Sequence, residues 1–406
     1  MPESWRQQIR YGWIIVGLSF AMFFMASGAQ MAFPVSLVSI SKEMGWEISS
    51  LGQAMSICML ATGLSMPTIG KVTDKYGPRI VSLLGYTISG ISTLLLPFVS
   101  AIWQVYLLYG VLLGFTWHST GMVASTTLIS MWFTKKKSLP LSVFQSAYPI
   151  GWFCTAPLIG SLIQYYGWRG TWLLLGIAFM LVVAISSYFI REPEKSYIKI
   201  LGRDGLNEKI HVRIAVKTRF FMIIGVIIMF MCGFTDIPFA QLWLPISIEW
   251  GIGEVVASYG LGYMAATAFI GTIAIGSLPK KLGYKMPFTI FYIIRAVALA
   301  LPLFLVKSVA AYYMFIVLLG LSFFGMAPVS SAWIGEVFGE KILGGLLGLS
   351  GFIHFVGSAL GIYVFTIMNS IYGTYYTAFL TSFVLALIIL VFCCLIKSPN
   401  PKNIKN

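Results

Sequence analysis

The chain has 406 residues, of which 58% are hydrophobic and only 10% are charged, and its net charge is +14. A soluble protein of this length would carry about a quarter of charged residues. The composition therefore excludes a set of water-soluble domains. An all-α integral membrane protein is predicted, because long lipid-exposed segments must satisfy their backbone hydrogen bonds internally and open sheet edges cannot.

Twelve apolar runs are each long enough to cross a bilayer, which takes about 20 residues. Several exceed that length, which predicts tilted or kinked helices. The first run is too long for the apolar core of a cleavable signal peptide, so none is expected. We name the runs span 1 to span 12 in chain order: 12–40, 49–70, 80–100, 103–131, 138–165, 168–190, 220–248, 254–279, 286–306, 311–337, 342–369 and 374–396.

The five cysteines all fall inside these runs. They show neither metal-ligand spacing nor a pairing in loops, so they are expected to be packing thiols. The sequence therefore predicts no metal site, and no cofactor is expected. The cysteines are Cys58, Cys154, Cys232, Cys393 and Cys394.

Lysine and arginine are distributed unequally between the two sides of the predicted membrane protein. If the N-terminus is cytoplasmic, 23 of them lie on the cytoplasmic side and 3 on the other, with Arg295 inside a span. This positive-inside bias predicts a multi-pass protein of the cell membrane, plasma or inner, with both termini and the 191–219 segment in the cytoplasm. The net charge then needs no nucleic acid. The expected partners are the lipid bilayer and a small-molecule substrate, with a functional monomer.

One long polar connection, 191–219, separates six spans from six. An internal repeat supports this division, since GKVTDKYGPR at 70–79 recurs as GSLPKKLGYK at 276–285, at an offset of 206 residues. The predicted organisation is an N-terminal six-helix bundle at 1–190, a cytoplasmic linker at 191–219 and a C-terminal six-helix bundle at 220–406.

The first copy of the repeat concentrates turn residues and charge between spans 2 and 3. Gly70 and Gly77 permit a tight turn, and the cationic Arg79 holds it on the cytoplasmic side. The second copy carries Lys280 where the first has Asp74, so any role of a carboxylate at this position is confined to the first copy.

The pattern Gly-x-x-x-Asp-x-x-Gly-x-Arg after span 2 resembles the signature loop of the major facilitator superfamily. Other stretches extend the resemblance over nearly the whole chain, which is similar to the bacterial and archaeal branch near the monocarboxylate and oxalate/formate porters. They are YGWIIVGLSF in span 1, MWFTKKKSLPLS before span 5, YYGWRGTWLLLG at span 6, CGFTDIPFAQLWLP in span 7, YIIRAVAL in span 9 and GFIHFVGSALG in span 11.

The resemblance implies the major facilitator fold, with twelve transmembrane helices in two related six-helix bundles. It implies secondary active transport by alternating access, in which the two halves rock around a substrate bound at mid-depth. It also implies a conformational gating loop made of Gly70, Asp74, Gly77 and Arg79.

Two features depart from that pattern. Span 5 reads SVFQSAYPIG where relatives usually have small residues, and span 8 lacks the Asp and Arg, one turn apart, that are expected to couple protons in monocarboxylate porters. The coupling residues therefore cannot be carried over from the resemblance.

Four ionisable residues lie near the middle of their spans: His118, Asp236, Arg295 and His354. Such groups cost several kcal/mol at bilayer depth and are retained where they pair or line a wet cavity. All four are therefore candidates for the substrate and proton pathway, with His354 the strongest. Gln30 in span 1 and Gln145 with Tyr148 in span 5 are weaker candidates.

A structural alternative stays open for three of these residues. His118 is equally typical of a histidine satisfied within the core. Asp236 lies two residues before Pro238 and could cap amide groups freed by that proline. Arg295 could tie helices together through carbonyl groups or through Asp236.

Three classes of function are compared for this sequence: an enzyme, a transporter-like sensor and a gradient-driven transporter. An enzyme is not indicated, because the sequence has no HExxH, no nucleotide-binding loop and no Ser-His-Asp set, and no catalytic residue is predicted. A transporter-like sensor would usually add a signalling domain. A gradient-driven transporter fits best, for a small monocarboxylate-like organic anion by proton symport or exchange, because three of the four ionisable groups are or can become cationic. The alternative is efflux of amphipathic or cationic compounds by proton antiport, with Asp236 as the cation site.

Overall fold

The computed structural model describes residues 3–133, 138–192, 215–304, 308–323, 325–338 and 340–395. Within these ranges every regular element is helical, which confirms the all-α prediction. Residues 193–214 of the predicted linker lie outside the described residues, as do Lys135, Lys136, Lys137 and the C-terminal tail. The chain divides into two compact units, Met1–Arg203 and Asp204–Asn406, called the N-terminal and C-terminal units here. The linker boundaries and the cytoplasmic orientation stay predictions.

The helices of the N-terminal unit follow the six predicted spans. Span 4 is helical over 102–132, in alternating α and π segments, and spans 5 and 6 form one run broken at Gly167. The other bounds are Glu3–Met44 for span 1, Ile48–Tyr76 for span 2, Pro78–Leu95 for span 3, and Ser138–Gln145 with Ala147–Phe189 for spans 5 and 6.

The helices of the C-terminal unit follow the remaining six spans. Spans 7 and 10 each consist of two helices, and in span 10 the two helices are separated by the segment after Leu321. The bounds are Arg219–Gln241 and Trp243–Glu249 for span 7, Glu254–Ser277 for span 8, Lys285–Phe304 for span 9, Val309–Leu321 and Met326–Phe338 for span 10, Glu340–Tyr372 for span 11, and Tyr376–Leu395 for span 12.

In the described part of the chain, 9 helices are long and apolar enough to cross a membrane. One of them, Leu139–Phe189, holds both span 5 and span 6. Spans 4 and 10 are divided into shorter helical pieces. The predicted set of twelve spans is therefore present.

Glycines in the left-handed region of backbone space show how far the internal repeat extends. Among the described residues, six glycines have φ between 66° and 89°, a conformation that glycine adopts without steric strain. Each one in the N-terminal unit precedes one in the C-terminal unit by 206 residues, the offset of the sequence repeat. The turns after spans 1, 2 and 5 thus recur after spans 7, 8 and 11, without insertion or deletion. The pairs are Gly45 with Gly251, Gly77 with Gly283, and Gly167 with Gly373.

The turn between spans 2 and 3 is smaller than the predicted loop. The helix of span 2 continues to Tyr76, so Gly70 and Asp74 lie on that helix and not in a loop, which corrects the prediction. The turn is Gly77 alone, with φ of 89°. The backbone N–H of Arg79 donates to Glu192 Oε1 at 3.0 Å, and a Cβ on Gly77 would lie 2.7 Å from the same oxygen. Glu192, at the end of span 6, therefore holds this turn, and only glycine fits there.

Candidate functional site

A buried ion pair joins spans 7 and 9 in the C-terminal unit. The guanidinium of Arg295 contacts the Asp236 carboxylate, and the two side chains are 0% and 2% exposed. Cys232 Sγ and Thr235 Oγ1 also donate to this carboxylate, each at 3.1 Å. These partners are side chains, so the described contacts give no support to capping of backbone amides near Pro238. The predicted alternative for Arg295, a tie to Asp236, is the contact that the structure shows.

The same arginine reaches the break in span 10. Arg295 Nε donates to Ser322 Oγ at 3.0 Å, and Ser322 is the residue that ends the helix Val309–Leu321. The Ser322 hydroxyl in turn contacts the carbonyl oxygens of Leu318 and Leu319 at 3.0 and 3.1 Å. Arg295 therefore connects span 7 to the broken end of a helix in span 10. We call Asp236, Arg295 and Ser322 the charged triad.

His354 lies where spans 7 and 11 approach most closely. Its imidazole forms a hydrogen bond with the backbone of Met229, whereas Nδ1 has no partner among the described residues. A Cβ on Gly233 would collide with the His354 carbonyl oxygen, so the two backbones are nearly in contact there. In the described part of the chain, no hydrogen bond or ion pair joins His354 to Asp236. The structure thus brings Asp236 together with Arg295 and leaves His354 as a separate group.

Close packing of spans 7 and 11 depends on two further glycines. A Cβ on Gly357 or Gly361 would collide with the carbonyl oxygen of Phe230 or Phe234, respectively. Glycine at these positions lets helices approach to backbone contact. The GSALG stretch at 357–361 is therefore part of the span 7 interface and positions His354.

An aromatic cluster surrounds His118 in the N-terminal unit. The His118 ring lies 4.9 Å from Trp117, 5.7 Å from Tyr148 and 6.1 Å from Phe23, measured between ring centroids. His118 and Tyr148 are half-buried, while Trp117 and Phe23 are buried. Spans 1, 4 and 5 therefore meet at this histidine. We call the set the His118 cluster; its members are Phe23, Trp117, His118, Phe144, Tyr148 and Trp152.

The two glutamine candidates differ in environment. Gln30 is 1% exposed, and neither of its side-chain amide atoms has a hydrogen-bond partner among the described residues. A buried amide without a partner costs about 1–3 kcal/mol, so such a group calls for a ligand or a water molecule. Gln145 is exposed and directly follows Phe144, a member of the His118 cluster on span 5.

The offset of 206 residues relates the candidates of the two units to each other. Tyr148 corresponds to His354, and Gln30 corresponds to Asp236. The contacts correspond as well, because Tyr148 stacks on Phe23 at 6.0 Å while His354 bonds the backbone of Met229, which is the equivalent of Phe23. Four of the seven candidates chosen one by one from the sequence therefore form two pairs of equivalent positions.

Each unit also carries a glutamate that fastens the end of its first helix to the start of its last. Glu249 accepts hydrogen bonds from Thr374 Oγ1 at 2.7 Å and from the Tyr375 backbone at 2.9 Å. Its equivalent, Glu43, pairs with Arg169 at 2.7 Å. Sequence reasoning missed these contacts, although Glu43 and Glu249 stand 206 residues apart, two residues before glycines with positive φ.

The second copy of the turn motif is tied differently from the first. Tyr284, which follows Gly283, stacks on Trp333 of span 10 with ring centroids 5.7 Å apart. Burial, then a hydrogen bond to Glu336 and its negative charge, raise the pKa of Tyr284. The second turn is thus fastened to span 10, whereas the first is fastened to Glu192.

Two helical units with buried polar sites and a repeat over twelve spans define a multi-pass membrane transporter. The chain belongs to the Major Facilitator Superfamily, whose family model matches residues 18–326 and 247–406. It is 26% identical over 369 residues to the MFS-type transporter YcxA of Bacillus subtilis (strain 168), covering 88% of each chain.

Two further relatives are both named monocarboxylate transporters. The chain is 23% identical over 385 residues to monocarboxylate transporter 12-B of Danio rerio, with 85% of this chain and 78% of the relative covered. It is 25% identical over 301 residues to human monocarboxylate transporter 2, covering 67% and 60%.

Solved structures share the fold at low identity. A bacterial homolog of the human lysosomal transporter Spinster, in an inward-facing and unoccupied conformation, matches with a TM-score of 0.77 at 13% identity, over 95% of this chain and 96% of that one. The nucleoside transporter NupG matches with a TM-score of 0.74 at 13% identity, over 95% and 98%. The major facilitator fold is confirmed, and the chain is a transporter and not an enzyme.

Proposed function

We propose that this transporter moves a small, monocarboxylate-like organic anion, by proton symport or by exchange. Alternating access, which is consistent with the fold, provides the mechanism. Substrate and coupling ion would cross by way of the candidate residues in the two units.

The pairing of Asp236 carries the proposal. Among the described residues, Asp236 and Arg295 are the only buried members of the Asp, Glu, Lys and Arg classes, and they neutralise each other. No other buried carboxylate in the described chain is available to hold a cation. The remaining mid-span groups are His118 and His354, and histidine is the side chain whose ordinary pKa lets its charge change near physiological pH. A site that can become positive favours an anionic substrate.

The relatives support the same substrate class. Two of them are named monocarboxylate transporters, and the alignments extend over 67% and 85% of this chain. Sequence identities of 23% and 25% support the class of substrate and not a particular substrate.

The His118 cluster favours a second candidate function. The five Phe, Tyr and Trp rings of this cluster, from three spans, would suit an amphipathic or cationic compound, because such aromatic faces attract cations. Efflux of such compounds by proton antiport would use this cluster, and Asp236 would have to leave Arg295 to serve as the cation site.

Ligand-induced stabilisation of the purified protein separates the two functions. A ligand at 100 times its Kd stabilises the folded state by about 2.7 kcal/mol, which raises the melting temperature. We expect pyruvate, lactate or a related acid to raise it, and tetraphenylphosphonium to leave it unchanged. Stabilisation by tetraphenylphosphonium alone would favour the efflux function and contradict ours.

We also propose that the protein resides in the plasma or inner membrane as a functional monomer, with both termini in the cytoplasm. The excess of lysine and arginine in the tails and in the 191–219 segment supports this orientation. Reporter fusions after Asn406 and near Gly202 should both report the cytoplasm. A signal from the opposite side at either position would contradict the orientation.

A further inference from the structure

Because of the internal repeat, the charged triad can be compared with the equivalent residues of the N-terminal unit. At an offset of 206 residues, Asp236, Arg295 and Ser322 correspond to Gln30, Ser89 and Thr116. The N-terminal unit thus has a neutral set at the positions where the C-terminal unit has an ion pair. We call these three N-terminal residues the neutral triad.

The second and third residues of the two triads make equivalent contacts, whereas the side-chain amide of Gln30 has no hydrogen-bond partner among the described residues. Thr116 Oγ1 donates to the Leu112 carbonyl at 2.8 Å, and Ser322 Oγ donates to the equivalent Leu318 carbonyl at 3.0 Å. The Thr116 hydroxyl meets Ser89 Oγ at 2.6 Å, where the Ser322 hydroxyl meets Arg295 Nε at 3.0 Å. Spans 3 and 4 therefore make the contact that spans 9 and 10 make, without any charge.

This comparison shows that the contact between the second and third residues of a triad can form without an ion pair. Removing two charges from water carries a penalty that their attraction often fails to offset, and a neutral packed replacement is often as stable. The Asp236–Arg295 pair is buried almost completely. A position that is neutral in one half of the chain and charged in the other points to a role beyond packing.

The helices of span 4 and span 10, which carry Thr116 and Ser322, differ in one respect. Span 4 continues as a helix through Thr116 to Trp132, whereas the helix of span 10 ends at Leu321 and resumes at Met326. The Arg295 contact falls on Ser322, the first residue of that break. We propose that the charged triad is a clamp that sets the position of broken span 10 during transport, and that its charge serves coupling and not packing.

In this arrangement Arg295 is a positioning residue and Asp236 is the group whose protonation opens the clamp. A protonated Asp236 loses the charge that holds the guanidinium, and Arg295 then releases Ser322. In the described chain, the titratable groups in contact with the Asp236 carboxylate are Cys232 on its own span and Arg295 on span 9. Tyr292 on span 9 lies close to Cys232 and to Cys393 of span 12, and the backbone of His354 on span 11 packs against Gly233.

The test introduces two of the three residues of the neutral triad into the C-terminal unit. Asp236→Gln with Arg295→Ser places the N-terminal residues at these positions, and each single change leaves one buried charge unpaired. Each single variant of the full-length protein should melt about 6–20 °C lower than the wild type, and the double variant should recover most of that loss. A double variant that melts as low as the less stable single variant would show that packing requires the pair, and would overturn the proposal.

The proposal that the charge of the triad serves coupling rests on the proposed function, so a transport measurement tests it. In proteoliposomes, we compare accumulation of labelled pyruvate under an inward proton gradient with equilibrium exchange of pyruvate. The ratio should fall about tenfold in the double variant, within the range typical of coupling between two sites. An unchanged ratio would overturn the clamp while leaving the proposed function intact.

Ser89→Ala is the matched control, because it removes the equivalent 2.6 Å hydrogen bond from the neutral triad. It should lower the melting temperature slightly and leave the ratio unchanged, and a comparable fall in the ratio would contradict the assignment of coupling to the charged triad. If the wild type neither exchanges nor accumulates pyruvate, the anion proposal fails for this probe. The melting comparison then decides the clamp alone, with recovery supporting it and no recovery overturning it.

Discussion

Adding one methyl group at Gly357 tests whether the backbone contact between spans 7 and 11 carries stability. The new Cβ would collide with the carbonyl oxygen of Phe230 and lie 3.0 Å from its carbonyl carbon and 3.2 Å from its Cα. These are backbone atoms of a helix, so no side chain can rotate away. Gly348 lies on the same helix, is exposed, and has nothing within 4 Å of its Cβ position, which makes Gly348→Ala the matched control.

The difference in melting temperature between Gly357→Ala and Gly348→Ala measures the cost of the collision. Alanine gains about 0.5–1 kcal/mol over glycine in a helix, and this gain is common to both positions. Overpacking of a tight interface costs about 1–3 kcal/mol. For a unit of about 200 residues, 1 kcal/mol shifts the melting temperature by about 2–4 °C. Gly357→Ala should therefore melt about 2–12 °C below Gly348→Ala.

Thermal unfolding of the purified variants in one detergent, followed by tryptophan fluorescence, measures this difference. Size-exclusion chromatography before heating verifies that both variants enter the scan as the same species. Equal melting temperatures would refute the reasoning, because they would mean that spans 7 and 11 can separate at no cost.

Three further predictions concern single carboxylate or imidazole groups. Asp74→Asn, on the exposed last turn of span 2, should sharply reduce the transport rate while membrane abundance stays normal; unchanged transport would leave Asp74 a mere surface charge. His354→Gln keeps hydrogen bonding but cannot titrate, so the pH dependence of uptake should flatten; an unaltered pH profile would exclude span 11 from the proton pathway. Glu249→Gln should destabilise the protein by about 1–2 kcal/mol, because it weakens two hydrogen bonds to a carboxylate. Glu43→Gln should lose less than about 1 kcal/mol, since the Glu43–Arg169 pair is exposed, and equal losses in thermal unfolding would contradict this ranking.

Much of the fold could be predicted from the sequence because lipid restricts the possible structures so strongly. An apolar run of sufficient length must become a helix, and the predicted bounds therefore agree with the observed helices for most spans. The repeat at 70–79 and 276–285 also indicated the relation between the two halves. The loop assigned to Gly70 and Asp74 was wrong, because charged residues at a helix end are as typical of its last turn as of a loop.

The site could be predicted only in part. Asp236, Arg295 and His354 were found because ionisable residues are conspicuous in an apolar chain. Ser322 could not be found in this way, since one serine among many acquires a role only when span 9 brings Arg295 within 3.0 Å of it. The offset of 206 residues served only to relate the two copies of the turn motif. Applied to the candidate residues, the same offset is enough to pair Asp236 with Gln30.

Accumulation of labelled pyruvate in proteoliposomes tests whether the protein moves a small organic anion by proton symport. The measurement compares liposomes with and without an imposed inward proton gradient, and protein-free liposomes correct for permeation of the undissociated acid. Proton symport predicts that pyruvate accumulates above its equilibrium level only when the protein is present, and that a protonophore abolishes this accumulation. Uptake equal to that of protein-free liposomes, for pyruvate and for lactate, would contradict proton symport.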